Sequence, residues 1–350
     1  RAAAERHSIS RLWKQSSGLM ARSVTQNAGD HGEHYITRDK KEYWAMFYSA
    51  AGGGVLIALM ALFKTYLGSI IDDKVWKGIA EGLNYGLGFM VIFMLHFTVA
   101  TKQPAMTAAR FAEAVEKTPQ GKTVNMKLAQ LLVDVFRSQS IAVLGNVLIA
   151  MGLAALIAFG YQYKTGEPLM NADQIAYQLH SIDPFAGTLW FAAIAGVWLF
   201  CSGIISGYFD NRSNYLNMRM RLTQHPLLKK LMSEKTRVKF ANYMHDNYGS
   251  LIGNLCFGML LGITGVVGYL THLPLDIRHV AFSSANVGYI AVSGHFTYSL
   301  LLQCIAFVLL IGLVNLIVSF SLTLWVALRS LNAEIDSWWP IWHEVCQIVK

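Results

Sequence analysis

Long uncharged apolar runs constrain this chain more than any other feature of its sequence. Six runs are long enough to cross a bilayer as α-helices, which rise roughly 1.5 Å per residue. Charged residues make up only 14% of the chain, against roughly 25% in soluble domains. The sequence therefore predicts an all-α, polytopic membrane helical bundle. The predicted transmembrane helices are approximately 44–67, 79–100, 140–161, 185–208, 250–271 and 297–327.

The segments that connect these runs alternate in charge. Segments 101–139 and 209–249 and the N-terminal arm are rich in lysine and arginine, whereas 162–184 is acidic and 272–296 is nearly neutral. Basic segments stay on the cytoplasmic side of a membrane. The alternation therefore predicts six crossings with both termini in the cytoplasm. It also explains the formal net charge of +8, which faces the cytoplasm.

The same pattern predicts three parts of the chain. Residues 1–43 form a basic, amphipathic cytoplasmic arm, residues 44–330 form the six-span domain, and residues 331–350 form a cytoplasmic or interfacial tail. Basic residues near a membrane surface attract anionic headgroups by about 1 kcal/mol each. We therefore expect membrane lipids as partners at the basic loops. A homo-oligomer is also compatible with the sequence, and no cofactor is indicated.

Two of the predicted spans resemble each other. LGNVLIAMGLAALIAFGY (144–161) and IGNLCFGMLLGITGVVGY (252–269) match at a constant offset, which aligns Asn146 with Asn254. Each is followed by a returning span. This pattern predicts a parallel repeat of one helical hairpin. Chance similarity between spans rich in glycine and leucine is the alternative.

Polar residues concentrate in the cytoplasmic half of the predicted spans. Two interpretations are open. They form hydrogen bonds between helices, each worth about 0.6–2 kcal/mol, or they line a cavity that binds a ligand. The residues of this polar layer are His96, Asn146, Ser202, Ser206, Asn254 and Asn315.

The connecting segment 273–293 combines charge with a short apolar stretch. Asp276, Arg278 and His279 lie together on the predicted outer side and form either a site for a cation or protons, or a salt-bridged turn. Residues 280–293 are too few to span a bilayer, and they predict a re-entrant or interfacial helix. We expect this helix to pack against the fifth and sixth spans.

Five stretches resemble a bacterial membrane protein family known as site-specific recombinase, of the gonococcal crossover recombinase type. The resemblance runs from about residue 32 to 330 and implies the bacterial inner membrane as the location. It also implies that this chain is the C-terminal membrane part of a longer protein, and its name implies DNA recombination. The stretches are GEHYITRDKKEY (32–43), LHFTVATKQPAMTAA (95–109), SGYFDNR (206–212), LPLDIRHVAFSSANVG (273–288) and LVNLIVSFSLTLWVAL (313–328).

The residues themselves show no recombinase-type catalytic constellation. Such an enzyme needs a nucleophile inside a cluster of basic groups, and the nearest imitation surrounds Tyr215 in the basic segment 209–249. His31, Glu33 and His34 lack the histidine spacing of a helical zinc site, so a polar turn is preferred over a metal site. We therefore expect no enzyme activity and no nucleic acid binding within this part of the protein.

Two function classes remain. A transporter, channel or lipid-handling protein is favoured by the repeat, the polar layer and the re-entrant stretch. A membrane-anchored protein that interacts with DNA or takes part in its recombination is the alternative implied by the family name. A cavity that reaches the polar layer would favour the first class, and a dry bundle would favour the second.

Overall fold

The chain folds into helices, as predicted. The computed structural model describes residues 37, 39–100, 115, 122–293, 296–331 and 337–349, and this part contains no β-strand. A short 3₁₀ turn covers Pro184–Ala186. The helices are α1 (Lys40–Ile70), α2 (Lys74–Met94), α3 (Lys122–Thr165), α4 (Ala172–Ile182), α5 (Thr188–Tyr215), α6 (Met218–Gln224), α7 (Pro226–Leu231), α8 (Glu234–Thr271), α9 (Val280–Ala291), α10 (Tyr298–Leu331) and α11 (Trp339–Val349).

Polar side chains fix where several helices begin. Asp39 accepts the backbone N–H of Glu42 at the start of α1, and Asp73 accepts two backbone N–H groups at the start of α2. Asn171 and Ser233 cap α4 and α8 in the same way. The first N–H groups of a helix have no partner within the helix, so each cap stabilises its start by about 1 kcal/mol.

Five described helices are long and apolar enough to cross a membrane. They coincide with five of the six predicted spans, which confirms those runs as helices of spanning length. They are α1, residues Met126–Thr165 of α3, α5, α8, and residues Tyr298–Arg329 of α10.

The remaining predicted span, 79–100, corresponds to α2 and ends earlier than expected. The helix stops at Met94. His96 adopts a left-handed backbone with φ of 57°, and the N–H groups of His96 and Phe97 bond back to Phe93 and Ile92 at 2.9 Å each. This is the hydrogen-bond pattern of a Schellman C-cap. Helix length and apolarity do not identify α2 as a span, so the sixth crossing stays a prediction.

Residue pairs give the directions of the first three long helices. Asn84 of α2 donates to the Met60 carbonyl of α1 at 2.9 Å, and the charged groups of Lys64 and Glu81 lie 3.5 Å apart. From one contact to the next, residue numbers increase along α1 and decrease along α2, so the two helices are antiparallel. By the same reasoning α3 is parallel to α1, because Gly145 contacts Ala50 while Gly54 contacts Ala150.

The later long helices follow the same alternation. Trp198 of α5 donates to Thr264 of α8 at 2.8 Å, while the Gly249 N–H of α8 donates to Asp210 of α5 at 2.9 Å. These helices are therefore antiparallel. Asn315 of α10 donates to the Ala192 carbonyl of α5, and Val318 contacts Gly196, so α5 and α10 run parallel. The predicted hairpin repeat is not tested by these directions and stays a prediction.

Helix α2 packs against α8 through glycines on both helices. A Cβ added to Gly258 would lie 2.0 Å from the backbone nitrogen of Gly86, and one added to Gly262 would lie 2.4 Å from the Cα of Gly82. Side chains of any size at these positions would push the two backbones apart. The close contact agrees with the role of small residues between membrane helices.

The segment before α9 turns back along α8 instead of continuing away from it. Leu275 lies against Gly268, and the His279 ring lies 5.8 Å from the Phe257 ring. Helix α9 then returns. It is almost wholly buried, and its Gly288 contacts the Met151 carbonyl of α3. The chain thus enters the bundle as an extended, non-helical segment and leaves it as a helix.

The predicted neighbours of this helix are partly wrong. We expected the fifth and sixth spans, which are α8 and α10. Helix α9 packs mainly along α3, and it also contacts α10 and α1. The hydroxyl of Tyr289 donates to the Ala58 carbonyl of α1 at 2.8 Å. Small residues allow this approach on the α3 side, where Ala150 and Ala154 are fully buried.

A single methyl group tests the contact between α2 and α8. In Gly258→Ala the new Cβ must displace the Gly86 backbone, which should cost about 1–3 kcal/mol through overpacking. Gly152→Ala is the matched control, because nothing lies within 4 Å of a Cβ at that position. Thermal unfolding in detergent should show a lower midpoint for Gly258→Ala only. Equal midpoints for the two variants would contradict the packing.

Candidate functional site

A cavity of about 680 Å³ opens among α1, α2, α4, α8 and the start of α9. It lies at the end of the bundle where α1 and α8 finish and α2 begins. The short helices α6 and α7 lie at the opposite end, between α5 and α8. The charged residues on its wall are Lys64, Lys74, Lys77, Glu81, Asp173, Asp276 and Arg278.

One wall of the cavity carries an ion pair between α1 and α2. The Lys64 ammonium lies 3.5 Å from the Glu81 carboxylate and 5.6 Å from the centre of the Tyr85 ring. Tyr85 is 1% exposed. The sequence reasoning missed these three residues because it looked for charge in the connecting segments. The available signal was an ionisable residue inside a predicted span, which usually marks a functional site.

A second ion pair comes from the predicted outer cluster. Arg278 Nη1 donates to Asp276 at 2.6 Å, and its Nε donates to the Ser181 carbonyl of α4 at 2.8 Å. The guanidinium also lies over the Phe191 ring, 5.3 Å from its centre. The expected salt-bridged turn is therefore present. Both residues also lie on the cavity wall, so the salt-bridged turn forms part of that wall.

His279 lies at the floor of the cavity among aromatic rings. It is 1% exposed, and its ring centre is 5.8 Å from that of Phe257 and 6.1 Å from that of Phe282. Its Nδ1 accepts the Ala281 backbone N–H at 3.4 Å, which caps the start of α9.

Two asparagines of the predicted polar layer pair backbone groups at breaks in the helices. Asn146 accepts the Ala100 N–H at 2.6 Å and donates to the Thr98 carbonyl at 2.9 Å, which fixes the chain after α2. Asn315 accepts the Val280 N–H at 3.1 Å and donates to the Arg278 carbonyl at 3.0 Å, which fixes the start of α9. Both side chains are fully buried.

The other members of the layer also have packing roles. Asn254 donates to the Ser250 carbonyl and Ser202 to the Leu199 carbonyl, each at 2.8 Å. Ser206 lies directly against Gly253. His96 ends α2, as described above. None of the six layer residues lies on the wall of the cavity. Hydrogen bonding within and between helices accounts for the three asparagines and Ser202.

The basic segment 209–249, all of which the structure describes, does not gather around Tyr215. That side chain is 90% exposed at the end of α5. Arg219 pairs with Asp246 at 3.0 Å, and the buried Ser213 hydroxyl lies 3.1 Å from His245 Nδ1. A nucleophile held by phosphate-binding groups would be enclosed by them. The segment instead presents an open basic surface.

Metal ligands are not clustered in the part of the chain that the structure describes. No group of three or more His, Cys, Asp or Glu side chains there could hold a metal ion. The weak metal candidates His31, Glu33 and His34 lie outside the described residues. The four cysteines are free thiols.

Comparison with known families identifies the chain. A family model described as site-specific recombinase matches residues 1–350. The chain belongs to the site-specific recombinase family. The resemblance seen in the five sequence stretches is therefore confirmed. No curated protein and no solved structure matches this recombinase-family chain, so the site must be interpreted from its own residues.

The role of Asn315 can be measured against a second asparagine. Asn315→Ala leaves the Val280 N–H and the Arg278 carbonyl without this partner. At about 1–3 kcal/mol for each buried group left unpaired, the loss should exceed about 2 kcal/mol. Asn84→Ala removes one bond to a helix carbonyl, and we expect a loss below about 1.5 kcal/mol. Unfolding free energies in detergent check both values, and a cost for Asn315→Ala no larger than for Asn84→Ala would contradict its role.

Proposed function

We propose that this recombinase-family protein crosses the bacterial inner membrane six times, has both termini in the cytoplasm, and binds a ligand in its charged cavity as a transporter or lipid-handling protein. The observation that carries the proposal is a cavity of about 680 Å³ with paired charges among helices of spanning length. Its volume lies within the range of small-molecule sites, roughly 300–1,000 Å³.

The directions of the helices support the sixth crossing. Helix α2 is antiparallel to both α1 and α8, and its glycines pack against α8 along much of its length. Its charged residues Lys77 and Glu81 lie on the cavity wall. A spanning helix can carry such residues when they face a protein interior or a wet cavity. The cavity therefore explains why α2 is less apolar than the other spans.

The charge distribution supports the orientation. The basic segment 209–249 lies at the end of the bundle opposite the cavity. Under the positive-inside rule this end faces the cytoplasm, so the cavity opens to the outer side. Anionic headgroups of the cytoplasmic leaflet would then contact Arg221, Lys229 and Lys230, which are exposed on α6 and α7.

The floor of the cavity favours a closed compartment over an open channel. Phe89, Phe257 and Phe282 surround His279, and the rings of Phe89 and Phe257 stack with centres 5.1 Å apart. Below this cluster Asn146, Ser202, Ser206 and Asn254 of the polar layer are buried. A transporter would need to open this floor, whereas a lipid-handling protein could act from the outer side alone.

DNA interaction is the second candidate, and the family description is the observation that favours it. The exposed arginines and lysines of α6 and α7 could contact phosphates without reading sequence, because this electrostatic attraction does not depend on the bases. Such binding would weaken strongly as salt is added. In this role the protein would anchor DNA at the membrane and would not itself be the recombining enzyme.

Cysteine labelling tests the orientation and the cavity together. In a variant whose native cysteines are replaced, Asp173→Cys should react with an impermeant maleimide in intact spheroplasts, and Lys229→Cys should react only after permeabilisation. Ser283 is 5% exposed and lies on the cavity wall, so Ser283→Cys should react from outside; Ser202 is 0% exposed and lies away from the cavity, so Ser202→Cys should not react. Reaction of Ser283→Cys in inside-out vesicles as well would favour transport over lipid handling.

Two results would overturn the proposal. Labelling of Lys229→Cys from outside would reverse the orientation. Equal labelling of Ser283→Cys and Ser202→Cys would also count against the proposal, whether both react or neither does. In that case the cavity wall would be no more accessible from the outer solution than the buried interior of the bundle.

The recombinase activity implied by the family name can be tested on the purified chain. Because the exposed Tyr215 is not enclosed by basic groups, we expect no covalent adduct with DNA on a denaturing gel. Tyr215→Phe should then behave as the wild type does, and so should Tyr243→Phe. An adduct that disappears in Tyr215→Phe but remains in Tyr243→Phe would contradict this expectation.

A further inference from the structure

The cavity carries an excess of positive charge. Its described lining includes four cationic side chains and three carboxylates. Two of these carboxylates already face a cation of the same wall: Glu81 faces Lys64 at 3.5 Å, and Asp276 accepts from Arg278 at 2.6 Å. The remaining carboxylate, Asp173, lies in the first turn of α4, where the helix dipole stabilises negative charge.

Within the lining, the positive excess is concentrated at the start of α2, because Asp72 and Asp73 just before this helix do not belong to the lining. Lys74 and Lys77 are three residues apart, so they lie on the same face of the helix. The Lys74 ammonium lies 4.3 Å from the centre of the Tyr269 ring, and that of Lys77 lies beside Gly68 at the end of α1. The Asp73 carboxylate accepts hydrogen bonds from two backbone N–H groups at the start of α2, so its negative charge is directed at the helix end.

The rest of the cavity wall consists of neutral polar side chains and apolar side chains. Asn171, which caps α4, and Gln174 in the first turn of that helix lie on the wall. The apolar side chains of Val266 in α8 and Phe282 in α9 also lie on it. An anion with several acceptor oxygens suits the two ammonium groups and the amides. An apolar portion of the same ligand suits the aromatic and aliphatic side chains.

We propose that the cavity binds a phosphate-bearing amphiphile, with its phosphate held by Lys74 and Lys77 and its apolar portion directed toward Val266 and Phe282. Lysine is a common phosphate ligand that acts as a point charge, and a phosphate offers several oxygens to it. The volume of about 680 Å³ is far larger than a simple halide needs. This inference rests on the proposed function of the cavity as a ligand site.

Two sources could supply this chemistry, a membrane phospholipid or a soluble phosphate compound. The purified full chain is therefore examined with phosphatidylglycerol and phosphatidylcholine by native mass spectrometry, and with inorganic phosphate by thermal shift. Measurements are made in about 0.5 M ammonium acetate, a volatile salt in which the Debye length of a few ångströms screens surface binding. The Lys74→Gln/Lys77→Gln variant is compared with Lys229→Gln/Lys230→Gln, which makes the same charge change at the opposite end of the bundle.

At this salt concentration the exposed headgroup contacts of Lys229 and Lys230 are screened, so wild type and the Lys229→Gln/Lys230→Gln control should bind phosphatidylglycerol alike. Lys74→Gln/Lys77→Gln should bind it at least about tenfold more weakly, since two charge-assisted contacts are lost. Lys74→Arg/Lys77→Arg, which keeps the charge, should retain binding and verifies that the wall still folds. Stabilisation by inorganic phosphate without a lipid adduct, lost in the same glutamine variant, would identify a soluble phosphate compound as the source.

Three outcomes would overturn the inference. In the first, wild type and Lys74→Gln/Lys77→Gln bind phosphate and lipid equally well. In the second, the Lys229→Gln/Lys230→Gln control loses as much binding as Lys74→Gln/Lys77→Gln does. In the third, the cation spermidine stabilises the protein more than phosphate does. If Ser283→Cys still reacts from outside in that case, the cavity remains a ligand site and only the ligand class is wrong. If it does not react, the proposed function fails as well.

Discussion

The structure depends on how backbone hydrogen bonds are satisfied where the helices break inside the bundle. Lipid offers no partner to an unpaired N–H or carbonyl group, so a chain can leave a helix at that depth only where protein pairs it. Two asparagines meet this need. Asn146 pairs Thr98 and Ala100 after α2, and Asn315 pairs Arg278 and Val280 before α9.

These breaks make room for charge within the bundle. Because residues 275–279 run back along α8 as an extended segment, Asp276 and Arg278 reach the same cavity as Lys64 and Glu81. Burying an isolated ion is very costly, and it becomes tolerable when the ion is paired and hydrogen-bonded. The Lys64–Glu81 and Asp276–Arg278 pairs meet this condition, and a wet cavity reduces the cost further.

The sequence predicts the parts of the fold that follow from long-range composition. Five apolar runs are helices of spanning length, and the short stretch 280–293 folds back as a buried helix. The end of α2 was misplaced because apolar character continues through Phe97 and Val99, while the turn depends on the backbone conformation of His96. Apolarity does not report this conformation.

The candidate site was only half visible in the sequence. Asp276, Arg278 and His279 could be found because charge stands out in a short connecting segment. Lys64 and Glu81 belong to different helices, and only their packing brings them together. For the polar layer the sequence left two interpretations open, because similar depth along the spans does not by itself place Asn146, Asn254 and Asn315 in one cavity. Their partners are backbone groups of nearby segments.

We propose that a charged cavity lies among membrane-spanning helices and is closed below by a segment that enters the bundle extended and leaves it as α9 on the same side. A cryo-electron microscopy map of the protein in a lipid nanodisc tests it most directly, because the disc marks the membrane. The account predicts that α2 crosses the disc, that α9 ends within it, and that the cavity opens on the face opposite α6 and α7. A map with α2 lying along the membrane surface, or with the cavity on the face of α6 and α7, would contradict it.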